Sequence, residues 1–190
     1  MIRKFILKLV MSLLILAAGL VTAIFIFRRP TPLEFQQATA DEPVRFPRDE
    51  AAHFDAQAEW WYYTGFLDGE DGQQYGFELV FFKAYVPSEV RLGSVLPLMV
   101  SNNPIYFAHF AISDQAREEH VFSEQVNLPE FWDAGASEDR FEVWNGDWEA
   151  RGGDGEYQLA ASGGPYRLRL ALGSVKPPVL HGPEGAGVVE

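Results

Sequence analysis

The hydrophobic positions form one continuous run near the N-terminus and short, separate segments after it. The run at residues 9–27 contains no charged residue and is long enough for an α-helix to cross a bilayer. Beyond it, no segment repeats its apolar residues with the 3.6-residue period of a helix. The pattern therefore predicts one transmembrane helix followed by a domain built from β-strands.

Segments rich in aromatic and β-branched residues recur between Gly, Asp, Asn and Pro clusters, which is typical of strands and turns. The predicted strands are 59–67, 75–86, 105–113, 120–126, 140–144, 146–151, 157–162 and 166–172. The first two flank an Asp- and Gly-rich loop and are expected to form a hairpin. Short strands with regular turns predict an all-β, antiparallel, lipocalin-like barrel or sandwich.

The first two strands are apolar on both faces. Successive side chains of a strand point to opposite sides, so Trp60 and Tyr62 oppose Trp61 and Tyr63. An antiparallel sheet with one side in water should instead alternate apolar with polar residues. We therefore expect a partner, or further chain, to cover the second face.

The charges divide the chain into two parts. Five basic residues flank the apolar run, and no acidic residue lies among them: Arg3, Lys4, Lys8, Arg28 and Arg29. Removing these five from the 15 Lys and Arg leaves 10 against 27 Asp and Glu, a net charge of −17 beyond residue 29. So acidic a domain lacks the clustered cations that nucleic acid binding needs.

The basic residues favour a cytoplasmic N-terminus. They predict a single-pass inner-membrane protein with its domain in the periplasm. Small residues at 21–23 and 38–40 leave open cleavage as a signal peptide, which would release the domain into the periplasm. The predicted organisation is an anchor or signal at 1–29, a proline-containing linker at 30–45 and one domain at 46–190.

Five segments in order carry a family resemblance. They are Phe46-Pro47-Arg48-Asp49-Glu50 with His53, Glu59 to Gly65, Gly76 to Phe82, Ala108 to Asp114, and Lys176 to Gly182. The sequence resembles the bacterial AttH and carotenoid 1,2-hydratase (hydroxyneurosporene synthase) family, also described as predicted secreted hydrolases. The resemblance implies two lipocalin-like domains in the whole protein, with this chain truncated before the second. A Trp-x-Asp-His-Glu-Trp cluster of the hydratases is absent here, so their activity is not carried over.

Three residues are candidates for acid or base chemistry. Glu59, Glu78 and His109 lie in aromatic segments, and we expect them to line one cavity on the Trp61 side of the sheet. Desolvation there would raise a carboxyl pKa and suit it to proton transfer. Structural ion pairs for the glutamates, and a core position for the histidine, remain open alternatives.

A second set of residues is a candidate for ligand binding. Aromatic rings can line a cavity or stabilise a carbocation, although core packing explains them equally. The set comprises Trp60, Trp61, Tyr62, Tyr63 and Phe82, with His53 and His181 in loops. With no cysteine, no H-x-x-x-H spacing and no Gly-x-Ser-x-Gly motif, we expect no metal site, no cofactor and no hydrolase nucleophile of these types.

Two hypotheses about function follow from these expectations. In the first, a membrane-anchored exported protein binds or acts on a carotenoid, isoprenoid or lipid, with acid-catalysed hydration as the reaction. In the second, a non-enzymatic lipid-binding or partner-binding module serves a membrane transport complex. The sequence does not choose between them, because a fold does not fix a function.

Overall fold

The structure, a computed structural model, describes residues 34–36, 44–70, 72–85, 103–128 and 132–180, together with Met11 and Gly19. Within these residues a 3₁₀ turn at Arg48–Glu50 precedes nine strands. They are β1 Ala58–Asp68, β2 Gln74–Ala84, β3 Ile105–Asp114, β4 Glu119–Asn127, β5 Ala134–Ala136, β6 Phe141–Asn145, β7 Trp148–Gly153, β8 Glu156–Gly163 and β9 Tyr166–Gly173.

The strands form two antiparallel sheets in simple sequential order. The first sheet has the order β1-β2-β3-β4 and the second β5-β6-β7-β8-β9. The predicted all-β antiparallel fold and the β1–β2 hairpin are confirmed. The barrel alternative is wrong, because β4 pairs with β3 and β5 with β6, and no pairing among the described strands joins the two sheets. The architecture is therefore a β-sandwich.

The inner faces of the two sheets pack on each other and fill the space between them. Phe81, Phe110, Leu79, Val143 and Trp148 are at most 2 % exposed. The rings of Phe110 and Trp148 meet edge to face, with centroids 5.9 Å apart. Burial of each such side chain contributes about 1.5–3 kcal/mol. The centre of the described sandwich is thus a packed core of side chains from both sheets.

Strand β5 was not predicted, because Ala134–Ala136 contains no β-branched or aromatic residue. It forms where the chain passes over the Trp144 ring: a Cβ added at Gly135 would lie 2.6 Å from Trp144 Cζ2. The predicted strand 146–151 begins later than expected. Gly146, with φ of +62°, makes the turn between β6 and β7.

Among the described residues, no helix has both the length and the hydrophobicity required to cross a membrane. The predicted anchor or signal at 1–29 lies outside those residues except for Met11 and Gly19, so it stays a prediction. His181 also lies outside the described residues.

Candidate functional site

The outer face of the first sheet, which points away from the core, carries a large apolar surface. We call it the outer aromatic face; it comprises Trp60, Tyr62, Phe66, Phe82, Phe107, Phe122 and Val126. Trp60 is 59 % exposed and Phe66 is 81 % exposed. A large exposed apolar patch of this kind is typical of a binding surface.

The strand register aligns one part of this face into a row that crosses all four strands. Trp60 lies opposite Phe82, Phe82 opposite Phe107, and Phe107 opposite Val126. The rings of Phe82 and Phe107 stack with centroids 4.4 Å apart and planes 10° apart. Rings in adjacent strands thus form a continuous apolar strip.

His109 and Glu124 form a hydrogen-bonded pair in the next row of the same face. His109 Nε2 lies 2.9 Å from Glu124 Oε2. The imidazole is surrounded by Phe82, Phe107 and Phe122, whose ring centroids are 5.4, 5.9 and 5.4 Å away. The side chains are 27 % and 50 % exposed, so both are accessible to a molecule bound on this face.

Further polar groups occupy the two rows beyond His109. Glu78 is exposed and lies opposite Thr64 and Ala111. In the following row Ser113 Oγ lies 2.9 Å from His120 Nδ1. The outer aromatic face is therefore apolar in one row and mixed in the others.

The expectation that Glu59 joins Glu78 and His109 in one cavity is wrong. Glu59 pairs with Lys83 across β1 and β2, and both side chains lie on the inner side of the sheet. Glu78 pairs with Thr64 and points to the outer side with His109. The sheet backbone therefore separates Glu59 from the other two residues.

The predicted ligand-binding residues are divided in the same way. Trp60, Tyr62 and Phe82 lie on the outer aromatic face. Trp61 and Tyr63 are half-buried and pack against the core. These two side chains face the second sheet, so they are not part of the exposed surface on which a ligand could bind.

Glu59 and His53 belong to an internal ion-pair cluster centred on Lys83, which we call the Lys83 cluster. Lys83 is completely buried, and its Nζ lies 3.0 Å from Glu59 Oε2 and donates to the His53 carbonyl oxygen. His53 Nδ1 lies 2.6 Å from Glu59 Oε1, and the His53 backbone N–H donates to Glu59 Oε2 at 2.9 Å. Nζ also lies 4.9 Å from the centre of the Phe54 ring. The cluster fastens the segment before β1 to β1 and β2.

Sequence reasoning did not select Lys83 or Glu124. A signal for Lys83 exists, because it continues the inward series Phe77, Leu79 and Phe81, where a lysine needs a buried partner. Glu124 has no such signal. Its contact with His109 depends on the β3–β4 register.

Glu50 was also missed as a residue that joins the two sheets. Its carbonyl oxygen accepts a hydrogen bond from Trp61 Nε1 at 3.1 Å, and its Oε1 accepts one from the Tyr157 hydroxyl. Burial, followed by this contact with Glu50, raises the pKa of Tyr157 to about 12. Burial also raises the pKa of Tyr63. Both hydroxyl groups therefore stay protonated at neutral pH, and that of Tyr157 donates to Glu50.

Two surface depressions lined by described residues lie away from the outer aromatic face. One, of about 850 Å³, includes Arg151, Gln158 and Ala171 on the second sheet. Another, of about 730 Å³, includes Phe46, Glu50 and Lys176. Within the described ranges, no group of three or more His, Asp or Glu side chains could hold a metal ion.

A two-sheet antiparallel sandwich with this outer face agrees with the family that the comparisons identify. The AttH-like family model matches residues 37–189. The chain belongs to the AttH-like family.

A solved structure gives an independent comparison. The structure of an AttH protein from Nitrosomonas europaea is 26 % identical to this chain and superposes with a TM-score of 0.66. The match covers 80 % of this chain and 44 % of that one, so the chain spans less than half of the solved protein. No curated protein matches the sequence.

Proposed function

We propose that this AttH-like chain is an exported, membrane-anchored protein whose outer aromatic face forms one wall of a binding site for a long apolar molecule, such as a carotenoid, isoprenoid or lipid. The observation that carries the proposal is the apolar row of Trp60, Phe82, Phe107 and Val126, whose two ends are exposed and whose two central rings are half-buried. A molecule that follows this row contacts all four strands.

Burial favours this surface over the interior. The space between the sheets is filled, so a ligand has its available apolar contacts outside. Covering an exposed aromatic side chain contributes up to about 1.5–3 kcal/mol, and Trp60 and Tyr62 are both more than half exposed. Small-molecule sites are concave, so we propose that a second wall completes the site. In the solved AttH protein, more than half of the chain lies outside the match and could supply such a wall.

The His109–Glu124 pair supports acid-catalysed hydration as the reaction of such a site. A protonated imidazole would donate its proton to an alkene carbon, and the surrounding rings would stabilise the carbocation. Water would then add to the cation and return a proton to the pair, giving an alcohol without a cofactor. Non-enzymatic lipid binding uses the same surface without this step.

A partner-binding module of a membrane transport complex is the second candidate. It is favoured by the spread of exposed apolar side chains over a four-stranded sheet, since an extended patch of this kind suits a protein surface. In that case the partner would cover Trp60, Tyr62 and Phe66, which are the exposed rings of β1.

Photolabelling separates these candidates. The full chain, reconstituted in lipid nanodiscs, is irradiated with an isoprenoid that carries a diazirine, and the labelled peptides are identified by mass spectrometry. We expect labels in β1–β4. Trp60→Ser should reduce labelling at least about tenfold, because the loss of an aromatic contact buried by the ligand weakens binding by that factor or more. Val126→Ser should reduce labelling, whereas its control Val179→Ser, also on an exposed valine, should not. Unchanged labelling in both face variants would reject the ligand site and favour the partner-binding module.

Export and anchoring require a separate test. The apolar run at 9–27 and its flanking basic residues support a periplasmic domain. A phosphatase fused after Glu50 should be active, and a cytoplasmic reporter at the same point inactive. The reverse pattern would overturn the orientation.

A further inference from the structure

The polar groups of the outer aromatic face are grouped rather than scattered. The row of Trp60, Phe82, Phe107 and Val126 contains no polar side chain apart from the indole N–H. The next three rows contain polar members, which are His109 with Glu124, Glu78 with Thr64, and Ser113 with His120. Exposed rings also lie in these three rows, namely Tyr62, Phe122 and Phe66. The face therefore has one wholly apolar row beside three mixed rows.

The charged groups on this face are carboxylates. Lys83 is the single Lys or Arg in β1–β4, and its side chain points into the core. Within the described part of the chain, Glu78 makes no ion pair, and Glu124 is paired with a histidine alone. An anionic group placed over these rows would meet two carboxylates, and β1–β4 offer it no Lys or Arg on this side of the sheet.

We infer that the ligand of this face is a long-chain alcohol, with its chain along the apolar row and its hydroxyl over His109, Glu124 and Glu78. The inference rests on the proposed function of the same surface. A hydroxyl both donates and accepts hydrogen bonds, so it matches a carboxylate and an imidazole together.

The two other ligand chemistries fit less well. A pure hydrocarbon that covers these rows would remove the remaining polar atoms of His109, Glu124 and Glu78 from water without replacing their hydrogen bonds, which is unfavourable. A hydrocarbon alkene should therefore bind less tightly here than the alcohol that its hydration forms. A carboxylate or phosphate head would be repelled by Glu78 and Glu124, and the net charge of −17 beyond residue 29 adds to that repulsion. The face thus selects an uncharged polar head.

Competition in the nanodisc photolabelling assay tests the selection. The probe is a long-chain alcohol that carries a diazirine in its chain. The competitors are the unlabelled alcohol, the carboxylate and the hydrocarbon of the same length, compared at equal mole fraction in the bilayer at mildly alkaline pH. We expect the alcohol to halve labelling of β1–β4 at about a tenfold lower mole fraction than either other competitor, as one lost hydrogen bond to a charged group predicts.

Charge-neutral variants assign the selection to named residues. Glu78→Gln with Glu124→Gln should bring the carboxylate to within about threefold of the alcohol, because the repulsion is removed. The control pair, Glu138→Gln with Glu156→Gln, makes the same change of net charge at exposed sites in the second half of the sandwich and should leave the preference unchanged.

The outcomes distinguish failure of the inference from failure of the proposed function. Equal competition by all three molecules, with labelling still weakened by Trp60→Ser, would overturn the alcohol preference and keep the apolar site. If the alcohol still outcompetes the carboxylate about tenfold in the Glu78→Gln with Glu124→Gln variant, the assignment of this selection to the two glutamates is overturned. Labelling that Trp60→Ser does not affect would reject the site itself.

Discussion

Replacing Lys83 with methionine tests whether the Lys83 cluster holds the sandwich together. Lys83 is completely buried, its Nζ lies 3.0 Å from Glu59 Oε2, and it donates to the His53 carbonyl. Methionine is unbranched and similar in length, so it fills most of the same space. The substitution therefore removes the charge and the hydrogen bonds with little change in packing.

The expected loss follows from the groups left without partners. Removing one member of a buried ion pair costs about 3–5 kcal/mol, because the other charge stays buried and uncompensated. In Lys83→Met, Glu59 still has its hydrogen-bond contact with His53. We therefore expect the loss of stability to lie near the lower end of this range. For a domain of this size each kcal/mol lowers the melting temperature by about 2–4 °C, so we expect a fall of about 6–12 °C.

A double-mutant cycle in urea or thermal unfolding, followed by circular dichroism, measures the coupling. Glu59→Gln with Lys83→Met should cost less than the sum of the single changes, by about 1–3 kcal/mol, because neither charge is then left alone. Lys176→Met, at an exposed lysine, is the matched control and should stay within about 0.5 kcal/mol of the parent. A stable Lys83→Met variant, or additive changes, would refute the structural role. Loss of photolabelling without loss of stability in Glu59→Gln would restore Glu59 as a functional residue.

Two further predictions concern turns. Gly152 has φ of +151°, and a Cβ added there would clash with the Glu156 carbonyl oxygen. Gly152→Ala should therefore lower the free energy of unfolding, measured in urea, by at least about 1–3 kcal/mol. The control Gly173→Ala, which has open space around it, should not. Burial disfavours the charge of Asp114, but hydrogen bonds from Arg117 and Tyr166 outweigh it and hold the pKa of Asp114 below its ordinary value. The Asp114 carboxylate therefore stabilises the folded protein fully above the ordinary pKa of aspartate, and this stability is lost as the pH falls towards the lower pKa of the folded state. The difference in urea midpoint between Asp114→Asn and the parent should therefore shrink in acid. A difference that does not depend on pH would contradict this prediction.

Local pattern was sufficient to predict most strands, because each contains aromatic or β-branched residues between turn residues. It was not sufficient to place Glu59 and Glu78 relative to each other. Alternation tells which residues of a strand share a side, but the match between two strands depends on their register. Since both faces of β1 and β2 are apolar, no polar stripe marks that register in the sequence.

Contacts between distant parts of the chain were out of reach for a different reason. The Tyr157 hydroxyl meets Glu50 across 107 positions of sequence, and this contact exists only because the two sheets pack on each other. Likewise β5 forms because Gly135 fits against the Trp144 ring, not because Ala and Gly favour strands. Such features depend on tertiary packing, which no local propensity describes.

Trp60 and Trp61 are neighbours in sequence on opposite sides of one sheet, so they test whether binding and stability are separable. Trp61 is half-buried against the core and donates its Nε1–H to the Glu50 carbonyl at 3.1 Å. Trp61→Ala should therefore lower the free energy of unfolding by about 2–4 kcal/mol, somewhat less than for a fully buried ring. Trp60 is 59 % exposed, so Trp60→Ala should change stability by no more than about 0.5 kcal/mol while it lowers photolabelling of β1–β4. If Trp60→Ala instead destabilises the protein as much as Trp61→Ala does, the outer aromatic face contributes to folding, and its open exposure no longer argues for a ligand.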